Sequence, residues 1–91
     1  MTTVSWRAVF GDDRPVEVEI GPGRGDVLLA FAQAHPERGF FGIERCADFA
    51  DSILARARAA GCQNVRAVGN DARTIVSLLG PADSVAAYHI Y

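Results

Sequence analysis

The sequence predicts an open α/β fold in which helices flank a parallel sheet. Two observations support this prediction: strand-like and helix-like segments alternate along the chain, and the loops between them are short. Such alternation requires parallel strands joined by right-handed crossovers. The resulting β-α-β-α-β-α-β pattern is one half of a doubly wound sheet with strand order 3-2-1-4. Ligands of such sheets bind beyond the carboxyl ends of the strands, where the order reverses.

Residues 1–15 precede the alternating pattern and form a lead-in. Within it, residues 4–10 are apolar enough to predict a short strand, and residues 11–15 have the composition of a turn. Residues 16–91 then form one domain. Its predicted elements are, in order, a strand at 16–20, a glycine loop at 21–25, a helix from 26 that stops before 36, a strand at 40–44, a helix at 47–60, a strand at 65–68, a helix at 72–79 and a strand at 84–91.

The apolar spacing of the first two helices predicts which face of each is buried. In the helix that starts at residue 26, the apolar face consists of Val27, Leu28, Phe31 and Ala34. In the helix at 47–60, it consists of Phe49, Ile53, Leu54 and Ala57. Gly61 follows the second helix at the position where a helix C-cap requires a positive φ.

The composition is that of an ordinary globular domain. A chain of 91 residues permits one small domain, and a hydrophobic content of 49% against 22% charged residues excludes an intrinsically disordered chain. No apolar run approaches the roughly 20 residues that a bilayer span requires, and residues 1–14 lack the apolar region of a secretory signal. We therefore expect a cytoplasmic location and no contact with a membrane.

The charged residues and cysteines exclude two further kinds of site. All nine basic residues are arginines spread along the chain, and the net charge is −2, so this chain alone is not expected to present a basic nucleic-acid surface. Cys46 and Cys62 have no CxxC spacing and no histidine nearby. We expect both to be packing residues with free thiols, and we expect no metal site.

Three carboxylates stand at three successive strand ends: Glu19, Glu44 and Asp71. The glycine loop that follows the first strand lets a ligand approach the backbone without Cβ obstruction. A dinucleotide motif would require a third glycine at position 26, which is Asp, and Asp26 would repel a pyrophosphate at the helix N-terminus. The loop therefore favours a ligand without phosphate.

Each carboxylate suits one part of a nucleoside with a cationic tail. Glu44 lies about 20 residues past the loop, where a carboxylate accepts hydrogen bonds from ribose hydroxyls. Glu19 is placed to hold a cationic amine or to order the loop backbone, and Asp71 to accept from the exocyclic amine of adenine. A ribose, an adenine and a cationic amino-acid tail without phosphate describe S-adenosylmethionine.

Structural alternatives exist for these residues and for others with reactive side chains. Glu17 and Glu19 also fit the polar face of a half-buried strand. Glu44 could equally be a solvated charge at a strand end, and Asp71 also fits the N-cap of the next helix. Among the remaining candidates, His35 is expected to be solvated, His89 to pack in the core, and Trp6 to cover the edge of the sheet.

Residues 16–25, with the sequence VEVEIGPGRG, resemble the first motif, ExExGxGxG, of the bacterial tRNA (guanine-N7-)-methyltransferases. The resemblance continues through residues 35–36, 41–44, 61–65 and 70–72, and covers about residues 6–91 in all. It implies a Rossmann-like methyltransferase fold and S-adenosylmethionine as the cofactor. The residues that we expect to bind this cofactor are Glu19, Gly21, Gly23, Gly25, Glu44, Asn70, Asp71 and Ala72.

The resemblance also implies methyl transfer to guanine N7 in tRNA, and the chain departs from the family where that substrate would bind. It ends at Tyr91, directly before the family's Phe-Pro-Asp-Pro-Trp segment, and Ala86 stands where the family often has Asp. We therefore expect a cofactor-binding half that is truncated after the fourth strand and inactive alone. Catalytic residues and tRNA contacts are expected beyond Tyr91, and the open strand edge at 85–91 is expected to favour self-association. The alternatives are a methyltransferase-like domain with another substrate and a non-catalytic nucleotide-binding module.

Overall fold

The structure is a computed structural model that describes residues 5–21, 23–71 and 85–90. The predicted helix at 72–79 and the candidate residue Ala72 lie outside these residues. The described elements are α1 (Trp6–Phe10), β1 (Val16–Ile20), α2 (Asp26–Ala34), β2 (Gly39–Glu44), α3 (Ala47–Ala59), β3 (Val65–Gly69) and β4 (Ala87–Ile90).

The four described strands form one sheet in the order β3-β2-β1-β4, and every neighbouring pair is parallel. This confirms the predicted strand order. In the register, Glu19 of β1 lies opposite Gly42 of β2 on one side and His89 of β4 on the other. β4 lies at the edge of the described sheet, and self-association through that edge stays a prediction.

The predicted strand at residues 4–10 is wrong, because residues 6–10 form the helix α1. The Ser5 hydroxyl accepts a hydrogen bond from the Ala8 N–H at 3.3 Å, and Gly11 ends the helix with φ +86°. The spacing of Trp6 and Phe10 (i, i+4) suits one helical face, which packs on the sheet. Trp6 covers the central strand β2 and not the edge of the sheet, with its ring centroid 5.2 Å from that of Phe41.

The two faces of the sheet carry separate hydrophobic cores. Because side chains alternate along each strand, the neighbouring residues Phe40 and Phe41 of β2 enter different cores. The core beneath α1 consists of Phe10, Val16, Val18, Phe41, Ile43 and Val85. The core beneath α2 and α3 consists of Leu28, Leu29, Ala32, Phe40, Ile53, Ala57 and Val65.

The predicted buried faces of α2 and α3 are only partly correct. The buried residues of α2 are Leu28, Leu29 and Ala32, and those of α3 are Ala50, Ile53 and Ala57. The predicted core residues Phe31 and Phe49 are 39% and 46% exposed. Ala32 and Ala50, each one residue after an exposed phenylalanine, are buried instead. The described residues contain no helix that is long and apolar enough to cross a membrane.

Candidate functional site

The glycine loop has a backbone that only glycine adopts readily. Gly21, Gly23 and Gly25 have φ values of +74°, +58° and +84°. A Cβ on Gly25 would lie 2.7 Å from Cγ1 of Ile53, whereas a Cβ on Gly23 would meet nothing within 4 Å. Gly25 therefore permits the close packing of the loop on α3, and Gly23 faces space that a ligand can enter.

Glu44 fastens this loop to the end of β2. Its Oε2 accepts a hydrogen bond from the Gly23 N–H at 2.8 Å, and the Gly21 N–H donates to the Ile43 carbonyl at 2.8 Å. No hydrogen bond joins Oε1 of Glu44 to another described residue. One oxygen thus orders the loop, and the other remains available to accept from a ligand hydroxyl.

Glu19 is buried with no compensating partner in the described part of the chain. Its exposed fraction is 0%, and neither carboxylate oxygen has a hydrogen-bond partner there. Burial raises the pKa of the Glu19 carboxyl, His89 opposes this rise, and Glu17 adds to it. A buried carboxylate without hydrogen bonds is costly. A cationic group that reached it would remove that cost, so Glu19 fits a cationic ligand.

The end of β3 lies beside the end of β2. The Asn70 N–H donates to the Glu44 carbonyl at 2.8 Å, and the Asn70 Oδ1 accepts from the Asp71 N–H at 2.7 Å. Asp71 is half-buried. The structure thus brings Glu44, the glycine loop and residues 70–71 to one edge of the sheet, with Glu19 buried one residue before the end of β1.

Three further polar side chains, those of Glu17, Arg38 and His89, form a connected group next to Glu19, and the sequence did not assign them to the site. Glu17 Oε1 lies 2.8 Å from His89 Nε2, and Arg38 Nη1 donates to Glu17 Oε2 at 3.2 Å. The His89 ring also packs against Phe31, with the ring centroids 6.1 Å apart. The parallel register, which places β4 directly beside β1, is the signal that could have predicted the Glu17–His89 contact.

Arg56 holds the outer side of the glycine loop. Its guanidinium donates to the Arg24 carbonyl and to Oδ1 of Asp26, each at 2.7 Å. Arg56 is exposed on α3, and these hydrogen bonds fasten the loop to the first turn of α2. Asp26 and Arg56 pair with each other, so Arg56 offsets the negative charge of Asp26 from which repulsion of a phosphate was predicted.

The described residues contain no cluster of three or more histidine, cysteine, aspartate or glutamate side chains suited to a metal ion. Both cysteines have free thiols. Cys62 packs against the core beneath α2 and α3, as predicted. The packing prediction for Cys46 is wrong, because this residue is the exposed N-cap of α3.

A cavity of about 380 Å³ lies at the opposite end of the sheet, near the amino ends of the strands. Its lining includes Arg14, Pro36 and Cys62, and it contains none of the predicted site residues. It presents one charged side chain and no carboxylate, so it lacks the converging polar groups typical of a nucleoside site.

The four described parallel strands in the order β3-β2-β1-β4 define a doubly wound α/β domain, a class of protein in which ligands bind beyond the carboxyl ends of the strands. A protein family described as "Putative methyltransferase" matches residues 13–90, and this chain belongs to that family. The tRNA (guanine-N(7)-)-methyltransferase of Vibrio vulnificus is 39% identical over 88 residues, which are 97% of this chain and 37% of that protein. The enzyme of the same name from Cutibacterium acnes is 46% identical over 77 residues, which are 84% of this chain and 28% of that protein.

These relatives confirm the resemblance seen in the sequence, and this chain spans only about a third of their length. Among solved structures, coclaurine N-methyltransferase bound to N-methylheliamine and SAH has a TM-score of 0.61 at 18% identity. The match covers 72% of this chain and 20% of that protein. This likeness confirms the predicted Rossmann-like methyltransferase fold.

Proposed function

We propose that this chain is the S-adenosylmethionine-binding part of a tRNA (guanine-N7-)-methyltransferase. The observation that carries the cofactor assignment is the Glu19 carboxylate, which is fully buried and has no described hydrogen-bond partner beside the glycine loop. A nucleoside with a cationic tail supplies the missing charge. The substrate assignment follows the similarity to relatives that carry that enzyme name.

The site residues take distinct roles in this proposal. Glu19 binds the ammonium group of the amino-acid tail, and the open position at Gly23 lets the ligand approach the loop backbone. The Oε1 atom of Glu44 accepts from a ribose hydroxyl, a charge-assisted bond that contributes about 1.5–3 kcal/mol. Among the remaining candidates, Gly21 and Gly25 shape the loop, and we assign Asn70, Asp71 and Ala72 to recognition of the adenine.

The chemistry requires binding and orientation from this chain and no proton transfer. S-Adenosylmethionine, when bound, supplies an electrophilic methyl group. Guanine N7 has a lone pair and carries no proton, so its attack on that methyl group needs no general base. The carboxylates and the glycine loop therefore act by holding the reacting groups in line, which is a large part of catalysis in such transfers.

We assign tRNA binding and the catalytic residues to the part of the full-length relatives that this chain does not span. The net charge of −2 argues against a phosphate-binding surface on these 91 residues alone. Because tRNA is the substrate, we also propose a cytoplasmic location.

Calorimetric titration of the 91-residue chain with S-adenosylhomocysteine tests the cofactor assignment. We expect binding, and we expect Glu44→Gln to weaken it about tenfold or more, since the neutral amide both loosens the loop and loses the charge. Glu37→Gln is the matched control, because Glu37 is exposed in the turn at the other end of the sheet. We expect no binding of NAD. Binding of NAD without S-adenosylhomocysteine would instead indicate a nucleotide-binding module.

A further inference from the structure

Glu17 is held by donors on two sides. Its side chain is only 14% exposed, Arg38 donates to Oε2 at 3.2 Å, and His89 Nε2 lies 2.8 Å from Oε1. An ionised carboxylate only accepts hydrogen bonds, so the ring nitrogen that faces it carries the proton. Two donors therefore offset the charge of Glu17.

Glu19 lies on the same face of β1 as Glu17, two residues further along the strand, and this spacing places the Cα atoms of the two residues about 7 Å apart. It is also the register partner of His89. The other side chain packed on His89 is the uncharged ring of Phe31, and the β2 residue beside Glu19 is Gly42. The described charged groups that act on Glu19 are His89 and Glu17, and Arg38 contacts Glu17 alone. The charge on Glu17 therefore affects how readily Glu19 stays ionised.

We propose that His89 is a positioning residue for the cofactor: by donating to Glu17, it keeps Glu19 ionised and able to bind the ammonium group of the ligand's amino-acid tail. This inference rests on the proposed function and adds a determinant of specificity to it. His89 and Glu17 make the site select a nucleoside that carries the tail over the same nucleoside without it.

The test compares two ligands on the 91-residue chain by calorimetry. S-Adenosylhomocysteine has the amino-acid tail, and 5′-methylthioadenosine has the same nucleoside without it. We expect His89→Leu to weaken binding of S-adenosylhomocysteine about tenfold and to change binding of 5′-methylthioadenosine less than about twofold. His89→Gln retains an N–H donor and is expected to retain most of the affinity. His35→Leu, at an exposed position at the end of α2, is expected to change neither.

A double variant separates electrostatic from structural effects. In Glu17→Gln/His89→Leu the like charge beside Glu19 is gone, so affinity for S-adenosylhomocysteine is expected to return to within about twofold of the wild type. The inference is overturned if His89→Leu weakens both ligands equally or neither, or if the double variant binds as weakly as His89→Leu. If the wild type binds neither ligand, the proposed function falls and this inference falls with it.

Discussion

Replacing Gly25 by alanine tests whether the glycine loop is shaped by packing or only by backbone conformation. The substitution places a Cβ at φ +84° and 2.7 Å from Cγ1 of Ile53, which is fully buried. The Cβ cannot occupy that position unless the loop or α3 moves. We therefore expect Gly25→Ala to destabilise the chain and to disturb the start of α2.

Two costs make up the expected change in the free energy of unfolding. The left-handed backbone costs about 1–2 kcal/mol for a residue with a Cβ, and overpacking in a closed core costs about 1–3 kcal/mol. Gly25→Ala is therefore expected to lose about 2–5 kcal/mol in total. Gly23→Ala is the matched control, since φ is +58° and no atom lies within 4 Å of the added Cβ, so only the backbone cost applies.

Urea denaturation of both variants and of Ile53→Ala measures these losses. Because Ile53→Ala removes the atoms that meet the added Cβ, Gly25→Ala in that background is expected to cost only about 1–2 kcal/mol, the backbone cost alone. In binding experiments we expect Gly23→Ala to have the larger effect of the two variants, because a Cβ on Gly23 enters the space proposed for the ligand and weakens binding of S-adenosylhomocysteine. Equal destabilisation by Gly23→Ala and Gly25→Ala, unaffected by Ile53→Ala, would refute the packing argument.

Three further outcomes are expected. Asn64 is buried, and its amide nitrogen lies 2.9–3.1 Å from the carbonyl oxygens of Ala32, His35 and Arg38. Asn64→Asp places a carboxylate against these oxygens, so we expect the free energy of unfolding in urea to fall by about 3–5 kcal/mol. A loss below about 1 kcal/mol would contradict this. Because burial raises the pKa of Glu19, the contribution of its protonated carboxyl to the stability of the folded chain is fully present below the ordinary glutamate pKa of 4.5. That contribution is lost as the pH rises above 4.5. As the pH rises above 4.5, the free energy of unfolding of the wild type is therefore expected to fall relative to that of Glu19→Gln. Free energies of unfolding that change in parallel with pH in the two proteins would contradict a raised pKa. Incubated with tRNA and S-adenosylmethionine, the 91-residue chain is expected to form no N7-methylguanosine, and detectable product would overturn its assignment as the cofactor-binding part alone.

Local patterns were sufficient for most of the fold. The strand at 16–20 and the start of the helix at Asp26 are correct to the residue, because the glycines between them separate two apolar periods. The strand predicted at residues 4–10 is wrong, because a short apolar run fits a strand or one helical face equally well. Ser5 favours the helix by capping it. The outward position of Phe31 and Phe49 was also missed, because apolar spacing does not reveal which residues meet a sheet.

For the candidate site, the sequence alone determined which residues stand at the strand ends and that a loop without Cβ atoms follows β1. These features depend on neighbours in the chain, and local spacing records them. Only the tertiary structure decided three contacts. One carboxylate oxygen of Glu44 accepts a hydrogen bond from Gly23, the side chain of Ile53 leaves no room for a Cβ at Gly25, and Glu17 pairs with His89. Those contacts join residues 21 to 72 positions apart, and their energies arise from burial and from the parallel register, which exist only after the strands have paired.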